Sequence, residues 1–161
     1  MRKNGLGYRL NEISLKIEEK ILQDEELIKL LASIKDDLSD IKEVDCPNDF
    51  VDKNIFFTIK DFNNAIQCSQ NLLMESLIIR STTPKTMVIT AEFYILVHKD
   101  LQVLKNGNKR IWEIVDRLDY LFGEDNRMGI GETYLGQLNT VTPPKDYVAM
   151  KLIFKFPDLK K

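Results

Sequence analysis

Every second residue of Thr86–His98 is apolar: Met87, Ile89, Ala91, Phe93, Ile95 and Val97. An alternation this long predicts a β-strand with one face buried, because successive strand side chains point to opposite faces. Tyr147–Phe156 repeats the pattern with Val148, Met150, Leu152, Phe154 and Phe156. Between these segments, Ile111, Ile114, Val115, Leu118, Leu121 and Phe122 fall on one stripe of a 3.6-residue period. That spacing predicts a helix over Asn108–Phe122, stopped by Gly123. A sheet with one apolar face and a helix with one apolar stripe bury each other. The chain is therefore built as layers.

The remaining elements follow from the same periodicities. Leu10, Ile13, Ile17 and Ile21 have helical spacing. Asp24-Glu25-Glu26 reads as a fresh helix start, with Asp24 as cap and the acids at the positive end of the dipole. Leu27, Ile28, Leu31, Ile34, Leu38 and Ile41 continue the stripe, giving two helices or one kinked helix that ends before Cys46-Pro47. Ile55–Lys60 and Leu72–Arg80 read as strands, and Ser81–Lys85 as the turn into Thr86–His98. At ~3.3 Å per residue, Thr86–His98 is about 40 Å long, enough to project as a hairpin arm or to run the full width of a sheet. Asp61–Asn71 is a loop or one helical turn, and Arg127–Glu132 is a glycine-containing loop. Thr133–Thr142 and Tyr147–Phe156 form a closing antiparallel hairpin around Pro143-Pro144. Glu113 and Arg117 stand four apart on the wet face of the long helix, the spacing of a helical ion pair.

The predicted fold is thus α+β: a two-layer sandwich with a mixed, mostly antiparallel sheet of four to five strands and amphipathic helices on one face. Residues 1–9 form a flexible N-terminus, 10–157 a single domain with a helical segment over 10–44, and 158–161 a C-terminal tail. A length of 161 residues suits one domain with a core of its own. A net charge of −2 gives no electrostatic reason to expect nucleic acid or an anionic membrane as partner. No apolar run approaches the ~20 residues that cross a bilayer. Met1–Leu10 lacks the apolar centre of a secretory signal.

Residues that could carry chemistry do not converge. His98 is the one histidine and reads as a strand-end residue. Glu92, Tyr94 and His98 share a strand face, which is the one arrangement a dispersed enzyme site could use. Cys46 and Cys68 with a single histidine do not make zinc spacing. They read as free thiols of a reducing compartment, with one disulfide as the alternative. Asp36, Asp37, Asp40, Glu43 and Asp45 lack the pattern of a calcium loop and read as a solvated helix face. Gly129-Ile130-Gly131, behind Arg127, lacks the Gly-Lys-Ser/Thr of a phosphate loop. Lys105, Lys109 and Arg110 cluster at a helix start, where cations oppose the dipole. They read as a solvated turn or as the mark of an acidic partner. Trp112 flanks the apolar stripe and serves equally as core filler or interface residue.

In order and pattern, several segments form a recognisable series. These are the acid-led Asp24–Leu31, the strand pair Leu72–Arg80 and Thr86–His98, the Gly-Asn-led helix Gly107–Phe122 and the closing hairpin Thr133–Phe156. The series resembles the tail terminator, or tail completion, proteins of tailed bacteriophages and phage-tail-like particles. The resemblance spans Leu10–Phe156. It implies a structural protein and not an enzyme, without cofactor or metal. Such a protein caps the tail tube as a homo-hexameric ring, ends tail polymerisation and presents the head–tail joining surface. The implied partners are further copies of the chain, the tail tube protein and the head–tail connector. The implied location is the tail–head junction of the virion, after assembly in the bacterial host cytoplasm. Arg80, Thr82 and Lys85 at the hairpin tip, with Lys105, Trp112 and Arg127, are the candidate interface residues. The alternatives are another neck or head–tail connector protein, and a small cytosolic adaptor that takes a peptide on a sheet edge.

Overall fold

The computed structural model describes residues 5–59, 61, 65–66, 70–83, 86–123, 134–156 and 159–160. It describes the side chains of all of these except 6, 80–83, 86–87, 134 and 159–160. The elements in chain order are α1 (Leu6–Gln23), α2 (Glu25–Ala32), β1 (Ile55–Phe56), β2 (Leu72–Thr83), β3 (Thr86–His98), α3 (Arg110–Phe122), β4 (Tyr134–Thr140), β5 (Tyr147–Lys155) and β6 (Leu159–Lys160). The sheet order is β1-β2-β3-β5-β4, with β6 added beside β3 beyond the end of β5. β1 runs parallel to β2, and every other pairing is antiparallel. This is the mixed, mostly antiparallel α+β sandwich that the periodicities predict.

The alternation in β3 does what its spacing requires. Ile89, Ala91, Phe93, Ile95 and Val97 are all fully buried in one core with Leu152 and Phe154 of β5 and the apolar stripes of the three helices. Phe93 stacks on Phe122 of α3 with ring centroids 5.1 Å apart, and meets Phe154 edge-on at 5.6 Å. Such pairs add ~0.5–1.5 kcal/mol each beyond simple burial. Ile13, Ile17 and Ile21 of α1 sit in the same core. The opposite sheet face is not bare. Phe56, Ala65, Leu72, Met74, Leu96, Tyr147 and Ala149 form a smaller second cluster there.

Several boundaries differ from the sequence-based expectation. The helical segment does not reach residue 44: α2 stops at Ala32, and Ser33–Cys46 is a loop. The physical reason is a set of side chains that meet the carbonyls at the end of α2. Arg110 donates to Leu30 O at 2.8 Å and Ser33 O at 3.0 Å. Asn71 reaches Leu31 O at 3.2 Å, and Asn54 reaches the same carbonyl at 3.2 Å. Asp40 then receives Ile34 N–H at 2.9 Å and the Ser33 hydroxyl, turning the chain away from the helix axis. The apolar spacing of Ile34, Leu38 and Ile41 is therefore not helical, and Ile34 is exposed. At the other end, α1 begins at Leu6, inside the stretch read as flexible. The short strand is Ile55–Phe56 rather than Ile55–Lys60. Leu159 and Lys160, read as tail, pair with Met87 and Thr86.

The long hairpin runs along the sheet. β5 pairs with β3 from Thr90 to His98, and β6 takes up Thr86 and Met87. On its other side β2 is different, since β1 pairs only with Leu73 and Met74.

Candidate functional site

Of the six residues singled out in the sequence, Lys105 and Trp112 have their side chains within the described residues. Arg80 and Thr82 lie in the last part of β2, with side chains outside the described residues. Lys85 and Arg127 lie outside the described residues altogether. Lys105 stands on the turn before α3, where its N–H donates to Asp36 O at 3.0 Å and its ammonium lies 3.9 Å from Asp37. Together with Leu38, Leu104 and Asn106 these groups line an open cleft of about 370 Å³. Trp112 projects from the first turn of α3 and is 46% exposed.

Arg110 overturns its predicted place in a solvated basic turn. It is fully buried, and besides Leu30 O and Ser33 O it donates to Lys35 O at 2.6 Å and Leu101 O at 2.8 Å. Burial pulls its pKa down, against the attraction of Asp40 and Asp36. The guanidinium acts as an internal clamp between the α2 terminus and the start of α3. The expected Glu113–Arg117 pair is also replaced. Arg117 grips Asp24 with Nε at 2.8 Å from Oδ1 and Nη2 at 2.6 Å from Oδ2, while Nη1 lies 3.0 Å from Glu26. Asp24 Oδ1 meanwhile caps α2 by accepting Leu27 N–H at 2.8 Å. Glu113 instead accepts from Asn108 at 2.5 Å.

Of the three residues on one strand face, two come together. Glu92 is buried and pairs with Lys151 of β5 at 2.5 Å, and the Tyr94 hydroxyl lies 3.4 Å from the same carboxylate. Burial disfavours the Lys151 charge, but hydrogen bonds to Glu92 and Tyr94 outweigh that and raise its pKa. His98 keeps apart from them. Its Nδ1 accepts Asp100 N–H at 3.3 Å, and its ring meets Tyr147 edge-on at 5.1 Å. This arrangement holds β3 to β5 and caps a turn. Cys46 is exposed with a free thiol, and Cys68 lies outside the described residues. Among the described residues no three His, Cys, Asp or Glu side chains gather as metal ligands. Nor is any helix among them long and apolar enough to cross a membrane.

Two features escape a reading of the sequence alone. The first is Glu75 on β2, which is opposite Phe93 and so faces the helices. It is buried, and Oε1 meets no hydrogen-bond donor among the described residues. Burial first, and then the carboxylate of Glu18 on α1, push its pKa up to about 7. The signal was a lone acid at an inward position between Leu73 and Leu77. The second is which strands supply the sheet edges. Beyond Met74 the outer edge of β2 is open among the described residues, and so is the outer edge of β4. Each edge carries an exposed aliphatic side chain on the helix-covered face, Ile79 on β2 at 42% and Leu138 on β4 at 38%.

These features define an α+β protein with an open sheet, whose β2 edge beyond Met74 and whose β4 edge are unpaired among the described residues. More particularly, the chain belongs to the YomW family, whose model matches residues 24–156. That family is phage-associated. The match opens at Asp24, the cap of α2, and closes at Phe156, a core residue just past β5, so α1 precedes it. No curated protein matches the chain at a significant level.

Proposed function

We propose that this protein is a structural subunit of a phage tail. It caps the tail tube as a homo-hexameric ring, ends tail polymerisation and presents the surface that joins the head. The observation that carries this reading is the pair of sheet edges left open among the described residues, on one chain of a phage-associated family. A subunit that meets its neighbours by two different surfaces closes into a ring when the rotation between copies permits. Its partners are further copies of itself, the tail tube protein and the head–tail connector. Its groups serve packing and contact, without catalysis or cofactor.

Light scattering over a concentration series, with and without the tail tube protein, tests the proposal. A discrete hexamer, or a monomer that becomes a ring once tube protein is added, supports it. A strict monomer indifferent to tube protein refutes it and favours the adaptor, which would use the bare β2 edge to hold an extended peptide. Binding to the head–tail connector alone, with no effect on tube length, assigns the protein to the neck instead.

A further inference from the structure

We infer that the two open edges of this chain fit each other. β4 of one copy adds antiparallel onto β2 of the next, so that the sheet runs on across the subunit boundary. This rests on the ring reading above and specifies its contact. Strand sense supplies the first argument. β2 and β3, β3 and β5, and β5 and β4 are each antiparallel, so β2 and β4 point in opposite directions. A second copy placed alongside in the same orientation brings its β2 against β4 in antiparallel sense, with helices on the same side.

The register irregularities supply the second. β4 is interrupted between Leu135 and Gln137, which leaves Gln137–Thr140 as its regular stretch. β2 is interrupted between Ser81 and Thr83, and β1 covers only Leu73 and Met74, which leaves Glu75–Ser81. Bulges are a usual way to blunt a sheet edge. Here they frame a regular segment on each side and leave it unblunted.

Side chains supply the third. Leu138 and Ile79 both lie in these regular segments and both face the helix side, since they sit opposite the core residues Leu152 and Ile89. Setting Leu138 across from Ile79 also places Thr140 beside Leu77 on that face and Asn139 beside Ile78 on the other. An aliphatic cross-strand pair then covers two side chains that a lone copy leaves in water. Of the facing positions 137–140 and 77–80, the one charged residue is Arg80, which this register sets across from the neutral Gln137. The contact is heterologous, the kind that closes rings.

Ile79→Lys and Leu138→Lys are made separately and measured by light scattering under the conditions in which the parent chain assembles, with circular dichroism to confirm folding. Each variant keeps one intact edge. The expected result is that each alone stays monomeric, while an equimolar mixture gives a dimer of one copy of each and nothing larger. If lysine unfolds either chain, Ile79→Thr and Leu138→Thr replace it, with at least a tenfold weaker association expected. A parent chain that forms rings while both variants form them equally well overturns the edge pairing and leaves the ring intact. So does a mixture that remains monomeric. A parent chain that never assembles, even with tube protein, removes the ring reading and the pairing with it.

Discussion

Replacing Arg110 by Met tests the internal clamp directly. Met fills a similar volume without the donors. Leu30 O and Ser33 O lie in the buried part of the clamp and lose their shortest side-chain donor, leaving only the longer contacts from Asn71 at 3.4 and 3.5 Å. A buried acceptor left without its partner costs ~1–3 kcal/mol, so these two carbonyls together cost about 2–6 kcal/mol. Lys35 O and Leu101 O, whose contacts are part-buried, turn to water and add little. Against this, the variant no longer holds a guanidinium out of water, which offsets part of the loss. The expected destabilisation is about 3 kcal/mol. At ~2–4 °C per kcal/mol for a domain of this size, that is a fall of roughly 6–12 °C in Tm. Urea unfolding of parent and variant gives the free energy, with an unchanged slope confirming that the folded state keeps its compactness. Arg110→Lys, with three donors on a compact head, is expected to recover part of the loss. A loss below about 1 kcal/mol for Arg110→Met would refute the clamp and return Arg110 to the solvated turn.

Three further outcomes are expected. Glu75 titrates near pH 7 when folded and near 4.5 when unfolded, so the folded state holds its proton more tightly. Stability from this group is full below pH 4.5 and falls as pH rises towards 7, by about 3 kcal/mol in all, since each tenfold difference in proton affinity is worth ~1.4 kcal/mol; Glu75→Gln should flatten that part of the stability–pH curve measured by urea unfolding at pH 5 and 8. Asp24→Ala removes the α2 cap and leaves Arg117 without its main partner, an expected cost of about 2–3 kcal/mol, whereas Asp24→Asn keeps the cap and costs roughly half as much in the same assay. Gly136 sits against the aliphatic chain of Lys155, where an added Cβ meets Cε at 2.9 Å; Gly136→Val should therefore displace Lys155 and lower Tm by a few degrees, about 1 kcal/mol, with little change if Lys155→Ala accompanies it.

What the sequence could reveal depended on how local each cause was. β3 was legible to the residue, Thr86–His98, because a strand in the middle of a sheet with one face on a core must alternate. α3 was legible for the same reason, with its stripe of Ile111, Ile114, Leu118 and Phe122 buried as spaced. The end of α2 was not, because the groups that stop it lie far along the chain. Nothing near Ala32 announces Arg110. Arg117 misled in a similar way: its nearest helical partner was Glu113, but the group it holds is Asp24, 93 residues away. Glu75 stood in plain sight as an acid in an inward register, but its raised pKa comes first from its burial under the helices and then from Glu18 on α1, and both depend on packing distant in sequence. Charge and aromatic character drew attention to Lys105 and Trp112, whereas the open edges become visible only once the strand order is known.

The fastening of α2 bears on when that helix can form. Eight residues are too few to hold a helix in water, where isolated segments shorter than ~12–15 residues are marginal. Its end is secured by Asn54, Asn71 and Arg110, at sequence separations of 23, 40 and 80 residues. The loops to those residues must close before the terminal turn of α2 is rewarded, which places that turn late on the folding pathway. Substitutions at Arg110 should accordingly accelerate unfolding far more than they retard folding. While a chain is being made, the end of α2 must then wait for residue 110, so until then this part of the core stays open to water.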